Sequence, residues 1–218
     1  MGMILMVRHG QASWGADDYD ALSDNGHEQA RLLGFAMAAR GIVPTAVVHG
    51  GMRRHRETWG GMAEAAGWDL DPVVDEGWAE YDHDDVLSQV EPPATEVEGV
   101  MSPREVQTWV EAGTDRWTAG HGTYLESFGA FADRVDGALA RTPRDGTVVV
   151  VTSGGPIALV TAGLLAEGHE RTELWKRLNI VCANTGVTRA IAGRRGLSLV
   201  TFNEDTHLDA HPKLRTYR

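Results

Sequence analysis

The stretch Met3-Ile4-Leu5-Met6-Val7, followed at once by Arg8-His9-Gly10-Gln11, decides the fold. Its first five residues form a continuous apolar run, which is typical of a β-strand buried on both faces of a parallel sheet. The polar residues that follow stand at the carboxyl end of that strand. Ligands of open α/β sheets bind at this edge, so the sequence places a candidate site directly after the first strand.

Predicted strands and helices alternate along the rest of the chain. Helices are predicted over about 24–40, 52–66 and 124–139 and from about 156 onward; strands are predicted over 45–49, 147–151, 186–192 and 197–202. This alternation predicts a three-layer α/β/α sandwich with a mostly parallel sheet. We interpret residues 1–218 as a single domain. The stretch 94–122, which shows no clear periodicity, is interpreted as an insertion over one end of the sheet.

Composition excludes several classes of function. The chain has 218 residues, and 20 Lys+Arg against 31 Asp+Glu give a net charge of −11. An acidic chain argues against general binding of nucleic acid or anionic membranes, because both need basic faces. The apolar N-terminal run is too short to span a bilayer, so we expect a cytoplasmic protein. Its one cysteine, Cys182, sits in an apolar run and is predicted to be a buried packing thiol.

The residues after the first strand suit phosphate chemistry. The guanidinium of Arg8 is always charged and can bind two oxygens at once, and a neutral imidazole at His9 is a competent nucleophile. Gly10 allows the backbone to approach a ligand closely. Taken alone, three residues are a weak signal, and a plain surface turn is the alternative reading.

Three further segments strengthen the phosphate reading. Leu22-Ser23-Asp24-Asn25-Gly26-His27-Glu28-Gln29-Ala30 resembles the "L-[ST]-x-x-G-x-x-Q-A" segment that follows Arg-His-Gly in histidine phosphatases of the phosphoglycerate-mutase-like type (branch 1). Gly51-Met52-Arg53-Arg54-His55-Arg56-Glu57-Thr58 resembles their "S-x-x-x-R-A-x-x-T". Phe202-Asn203-Glu204-Asp205-Thr206-His207-Leu208 resembles their closing "N-D-x-x-H-L". The four segments agree in order and spacing over residues 3 to about 208.

The resemblance implies a phosphomonoester phosphatase with a phosphohistidine intermediate at His9. Arg8 and Arg54 would hold the phosphoryl oxygens, and a carboxylic acid would protonate the leaving oxygen. Glu80 fits that acid best, with Glu76 and Asp82 as rivals. Arginines supply the positive charge, so neither a metal nor another cofactor is expected. The implied partner is a small phosphorylated substrate, the implied class is a histidine acid phosphatase-like hydrolase, and a homodimer stays open.

Other polar residues near these motifs are candidate phosphate ligands or structural groups. Gln11 is a candidate phosphate ligand, whereas Ser23 is read first as a helix cap. His207 and His211 lie four apart, but no H-E-x-x-H motif accompanies them and Pro212 argues against a helix there. The acidic run 82–85 is read as the start of a helix rather than as a metal cluster.

The chain departs from the family after the strand 147–151. Where histidine phosphatases have a second histidine in "V-x-H-G", this sequence reads Val151-Thr152-Ser153-Gly154-Gly155. The Ser153 hydroxyl and the backbone N–H groups of Gly154 and Gly155 are the remaining candidate donors to a phosphoryl group. This departure leaves two alternatives open: a weakly active or non-catalytic module that binds a phosphorylated ligand, and a mutase that returns the phosphoryl group to a substrate.

Overall fold

In a computed structural model of the chain, residues 2–13, 20–93 and 101–217 are described. They form two compact units. The first, called the sheet unit here, combines the residues up to Glu80 with those from Val135 onward, and the second, the helical unit, is Tyr81–Arg134.

The sheet unit is built on a six-stranded mixed sheet of order β3-β2-β4-β1-β5-β6. β1 pairs in parallel with β4, β4 with β2, and β2 with β3, whereas β5 and β6 add two antiparallel pairings at one side. The strands are β1 (Gly2–Arg8), β2 (Ala46–His49), β3 (Val73–Val74), β4 (Thr147–Thr152), β5 (Val187–Gly193) and β6 (Gly196–Glu204). The predicted α/β class with a mostly parallel sheet is confirmed.

Seven α-helices accompany these strands in the described part of the chain. They are α1 (Asp24–Ala39), α2 (Arg53–Ala66), α3 (His83–Leu87), α4 (Pro103–Thr118), α5 (Phe128–Arg141), α6 (Gly154–Leu165) and α7 (Gly168–Val181). Ser23 caps α1 as predicted, because its side chain accepts a hydrogen bond from the Gly26 N–H. Gly67 ends α2 in the left-handed conformation, with a φ of 68°, a position that favours glycine.

The two faces of the sheet carry different helices. Successive side chains of a strand point to opposite faces, and Leu5 and Val7 of β1 share one core cluster with α1 and α2. Ile4 and Met6, which are fully buried, therefore face the other side, where α6 packs against β1 and α7 packs against α6. This arrangement gives the sheet unit its three layers and leaves the carboxyl ends of β1, β2 and β4 at one edge.

Three elements of the structure were not predicted. α7 has a single buried residue, Trp175, and its other residues are half-buried or exposed, so its apolar periodicity is weak. β3 consists of two exposed valines at the sheet edge. Within 94–122, where no element was predicted, α4 forms behind a capping box of Ser102 and Glu105. Residues 94–100 of that stretch lie outside the described residues, and its assignment as an insertion into a single domain stays a prediction.

The helical unit has its own small core. Tyr81, Trp117 and Phe131 are buried, and the Tyr81 and Trp117 rings lie 4.8 Å apart between centroids. The acidic run at its start begins α3 as expected: Asp82 accepts a hydrogen bond from the Asp85 N–H at 3.0 Å. Among the described helices, none combines the length and the apolar character that crossing a bilayer requires.

Candidate active site

The candidate site lies where the parallel strands end. Arg8 pairs in register with Thr152, and the His9 N–H donates to the Thr152 carbonyl at 2.9 Å. The next residue on each strand therefore brings His9 and Ser153 side by side at the carboxyl edge of the sheet.

His9 is held in one tautomer. Its side chain is buried, and Nδ1 lies 2.7 Å from the Gly10 carbonyl oxygen. A carbonyl oxygen can only accept, so Nδ1 carries the proton and Nε2 keeps its lone pair. Nε2 is thus the atom that can act as a nucleophile.

The electrostatic surroundings of His9 keep the imidazole neutral. Burial lowers its pKa well below 6.5, and the nearby cations Arg54 and Arg8, followed by His55, lower it further. The hydrogen bond to Gly10 opposes this shift without reversing it. A neutral ring with a bare Nε2 is the form that nucleophilic attack requires.

The backbone around His9 is braced from several elements. The Gly10 N–H donates to Thr58 Oγ1 of α2 at 2.9 Å, and the Asn184 side chain donates to the His9 carbonyl at 3.1 Å. Thr185 donates its N–H to the Arg8 carbonyl at 3.1 Å from a left-handed backbone conformation, with a φ of 57°. That conformation is unfavourable for a β-branched residue, so surrounding contacts must hold it in place.

Gly10 meets a steric requirement at this point. A Cβ at Gly10 would lie 2.4 Å from the Gly26 carbonyl oxygen at the start of α1. No side chain fits in that space without moving the helix, because the obstructing atom belongs to the backbone. The glycine of the motif therefore serves the close packing of the His9 loop on α1.

The two arginines are anchored on different elements. Arg54, near the start of α2, is 5% exposed, and its Nη1 lies 2.7 Å from Asp20 Oδ1. The other oxygen of Asp20 accepts from the Arg53 N–H, the first of α2, at 2.7 Å. Arg8 donates from Nη1 to the carbonyls of Cys182 and Tyr217. Both guanidinium groups lower the pKa of His9, so their charges act on that ring.

The neighbouring arginines Arg53 and Arg56 serve other contacts. The Arg53 side chain is 47% exposed and pairs with Glu57, at 2.6 Å between Nε and Oε1. Arg56 is exposed and donates to the Gly51 carbonyl. Arg54 is the buried member of the three.

Gln11 and Ser23 form a polar network at the start of α1. Gln11 Oε1 accepts from Ser23 Oγ and from Asn25 Nδ2, each at 3.1 Å. The Gln11 N–H donates to Gln29 Oε1 at 2.7 Å. With its carbonyl oxygen engaged, the Gln11 side chain keeps its amide NH₂ as the group that can donate to a ligand.

Of the three candidate acids, Glu80 is bonded to the start of α6. Its Oε2 accepts from the Gly155 N–H at 3.0 Å. Glu76 is exposed on a single 3-10 turn, and Asp82 caps α3. The Gly155 N–H, a candidate phosphate donor from sequence, is thus occupied by Glu80 in this structure. Gly154 is buried as the first residue of α6.

Cys182 lies close to Arg8 and Glu80, but its thiol is unreactive. It is 1% exposed, which confirms the predicted burial. Burial raises the pKa of its thiol to about 12; the charge of Arg8 lowers it and that of Glu80 raises it. A thiol with this pKa stays protonated and unreactive at neutral pH.

One site residue, His55, was missed by sequence reasoning. It is fully buried, its Nε2 lies 2.8 Å from Ser153 Oγ, and its ring centroid lies 5.7 Å from that of His9. Burial lowers its pKa well below 6.5, and Arg54 adds to this effect. A signal was present: in the pattern "S-x-x-x-R-A-x-x-T", His55 stands at the alanine.

Two other histidines, His49 and His207, have structural partners. His49 is buried, and its Nδ1 accepts from the Gly51 N–H at 3.0 Å. His207 Nε2 lies 2.8 Å from Thr185 Oγ1, so it supports the residue that braces the Arg8 carbonyl. Within residues 2–13, 20–93 and 101–217, no three His, Cys, Asp or Glu side chains cluster in a way that would hold a metal ion.

A model of the histidine phosphatase superfamily, branch 1, matches residues 4–205. The chain belongs to this superfamily. The match covers nearly the whole sequence and includes Arg8, His9, Arg54, Glu80 and Ser153. A search of curated protein sequences found no match.

Solved structures share the fold at low sequence identity. Phosphoserine phosphatase from Entamoeba histolytica, in complex with 3-phosphoglyceric acid, has a TM-score of 0.67 and 21% identity, covering 95% of this chain and 100% of its own. A putative alpha-ribazole-5'-P phosphatase from Escherichia coli has a TM-score of 0.67 and 17% identity, covering 94% and 98%. A mycobacterial glucosyl-3-phosphoglycerate phosphatase has a TM-score of 0.59 and 21% identity, covering 92% and 98%.

The lowered pKa values of three histidines predict a loss of stability in mild acid. The pKa values of His9, His55 and His207 are lowered from 6.5, that of His207 to about 4, mainly by burial. Below pH 6.5 the unfolded chain therefore binds protons that the folded chain does not. The free energy of unfolding should fall as pH drops from about 6.5 to 4.5, by up to roughly 1.4 kcal/mol per pH unit for each histidine.

Urea unfolding at several pH values in this window measures the effect. His207→Gln keeps a side-chain partner for Thr185 but cannot take up a proton, so this variant should show a shallower loss than the native chain. Carboxylates with lowered pKa values, such as Glu57 and Asp75, add their losses below their ordinary values of 4.5 and 3.8. A free energy of unfolding that stays constant from pH 6.5 to 4.5 would contradict the assignment of buried, neutral histidines.

Proposed function

We propose that the chain is a phosphomonoester phosphatase that works through a phosphohistidine at His9. The observation that carries this proposal is the fixed tautomer of His9: its Nδ1–H donates a hydrogen bond to the Gly10 carbonyl oxygen, with 2.7 Å between Nδ1 and O, and the bare Nε2 belongs to a ring that burial and two arginines keep neutral. Membership of the histidine phosphatase superfamily and the phosphatase names of the structural neighbours support it.

The proposed first step transfers the phosphoryl group to His9. Nε2 attacks phosphorus while the bond to the leaving oxygen breaks, and Arg8 and Arg54 offset the negative charge that spreads over the phosphoryl oxygens. In this proposal Arg54 exchanges part of its pairing with Asp20 for the phosphoryl group. Gln11, through its amide NH₂, and the start of α6 at Gly154 are the further proposed contacts.

Glu80 is proposed as the general acid and base. In the first step the protonated carboxyl group gives its proton to the leaving oxygen. In the second, the carboxylate takes a proton from water, which attacks phosphorus and releases inorganic phosphate from His9. Its bond to the Gly155 N–H holds the carboxyl group at the edge where β4 ends. This chemistry uses side chains alone and calls for no cofactor.

Ser153 is proposed to stand in the place of the family's second histidine. It lies beside His9 at the end of β4 and is fully buried. The residues about 94–122 are proposed to be an insertion in one domain that shapes the choice of substrate. The expected substrate is a small phosphate monoester, and the histidine acid phosphatase-like class remains part of this proposal.

Turnover of an aryl phosphate tests the proposed function. We expect release of inorganic phosphate by the native chain and its loss, by a factor on the order of a thousand or more, in His9→Ala, because the covalent step then has no nucleophile. His49→Asn is the matched control: it changes another buried histidine but keeps an acceptor for the Gly51 N–H, and should leave turnover unchanged. A native chain that binds inorganic phosphate without turnover would instead indicate a binding module.

The acid is tested by comparing leaving groups. Glu80→Gln should slow an alkyl phosphate by about a hundredfold or more, because its leaving oxygen needs a proton. The same variant should slow a nitrophenyl phosphate much less, since nitrophenolate leaves without one. Glu76→Gln and Asp82→Asn, which preserve size and the α3 cap, should behave like the native chain. If Asp82→Asn shows the dependence on the leaving group and Glu80→Gln does not, the assignment of the acid is wrong.

A further inference from the structure

A buried pair of side chains, His55 and Ser153, lies beside the proposed nucleophile. Neither side chain is exposed at all, and Nε2 of His55 is 2.8 Å from Oγ of Ser153. The two residues are far apart in sequence, His55 on α2 and Ser153 after β4, and they meet next to the His9 ring. Because buried polar groups are normally hydrogen-bonded, the position of each hydrogen atom in this contact determines which group donates.

The partners of His55 identify its tautomer. Within the described residues, its Nδ1 is buried and has no hydrogen-bond partner. A buried N–H without an acceptor is rarer and more costly than a lone pair without a donor. The proton of the neutral ring therefore belongs on Nε2, which donates it to Ser153 Oγ. His55 and His9 thus hold opposite tautomers.

This tautomer leaves the Ser153 proton for a further acceptor. A hydroxyl has one hydrogen to give, and its oxygen here already accepts from His55. In the described part of the chain, the contact with His55 is the one hydrogen bond of the Ser153 hydroxyl, and this hydroxyl makes no bond to the N-terminus of α6. Ser153 also sits next to His9 by the register of β1 and β4. The hydroxyl proton is thus available next to His9.

We propose that His55 is a positioning residue that fixes the Ser153 hydroxyl, so that Ser153 donates its proton to a phosphoryl oxygen at His9. This inference rests on the proposed function in placing the phosphoryl group at His9. The pair divides between two side chains the donor role that the family gives to one histidine after β4. Ser153 is the group that touches the phosphoryl oxygen, and His55 acts through it.

The packing around the pair predicts the effect of a larger side chain at position 153. His55 fills the space next to Ser153, so a larger side chain at position 153 meets the His55 ring in a closely packed interior. Restoring the family's histidine by Ser153→His alone should therefore reduce turnover. Combining Ser153→His with His55→Ala, which also restores the family's alanine, should recover it.

A double-mutant cycle tests the coupling of the two residues. Ser153→Ala, His55→Leu and the double variant are compared with the native chain in kcat for an aryl phosphate and in Kd for inorganic phosphate. We expect each single change to lower kcat about tenfold or more and to weaken phosphate binding, and the double variant to be no worse than the worse single one. His55→Gln, which can still donate to Ser153, should stay within about threefold of the native chain.

A role in packing alone gives a different result. His55→Leu would then change kcat by the same factor in the native and Ser153→Ala backgrounds, and any loss would follow stability in urea unfolding. Independent effects, or a gain of turnover from Ser153→His alone, would overturn the proposal.

The outcomes also separate this inference from the proposed function. A native chain without turnover whose phosphate affinity follows the cycle contradicts the proposed function and supports the His55–Ser153 pair. Turnover that depends on His9 but is unchanged in His55→Leu supports the function and contradicts the pair.

Discussion

The hydrogen bond from His9 Nδ1 to the Gly10 carbonyl is the constraint on which the candidate site depends. This bond fixes the proton on Nδ1, so the unprotonated Nε2 is the ring atom that can react. The bond forms because β1 ends at Arg8 and the following loop is held against α1, α2 and the segment after α7. Contacts from Thr58, Asn184 and Thr185 converge on this loop, so the tertiary structure of the sheet unit fixes the orientation of a single ring.

The candidate site carries positive charge although the chain as a whole is acidic. The whole carries −11, yet the edge of the sheet gathers Arg8 and Arg54 around a neutral His9. Burying cations costs free energy unless they are paired, and Asp20 and backbone carbonyls hold the two guanidinium groups in this structure. A phosphate monoester is a doubly charged partner of the opposite sign, so two arginines at this edge suit the proposed substrate even within an acidic protein.

Much of the fold and of the site was predictable because its signals are local. A few neighbouring residues are enough to predict several strands and helix ends. Examples are the apolar runs of β1 and β4, the cap at Ser23 and the left-handed glycine at Gly67. α4 also carried a local signal, its capping box, but glycine and threonine obscured its periodicity. α7 could not be read in this way, because it buries one residue and so leaves no apolar stripe.

The limits of sequence reasoning at the site have a different cause. The role proposed for His55 depends on its contact with Ser153, which lies 98 residues away along the chain. Neither position is informative alone. In the sequence, the serine suggests that a hydrogen-bond donor to the phosphoryl group has been lost, and the histidine suggests a substitution on a helix without effect on function. The fold brings His55 and Ser153 into contact, which is a relation between residues that a reading of separate motifs does not contain.

The most direct measurement is the site of phosphorylation in a chain quenched during turnover of an aryl phosphate. Digestion and mass spectrometry locate the modified residue, and phosphorus-31 NMR of the denatured protein distinguishes the two ring nitrogens. The account predicts a phosphoryl group on Nε2 of His9, because Nδ1 is occupied by its bond to Gly10. A phosphoryl group on Nδ1, on His55 or on a residue other than histidine would contradict it.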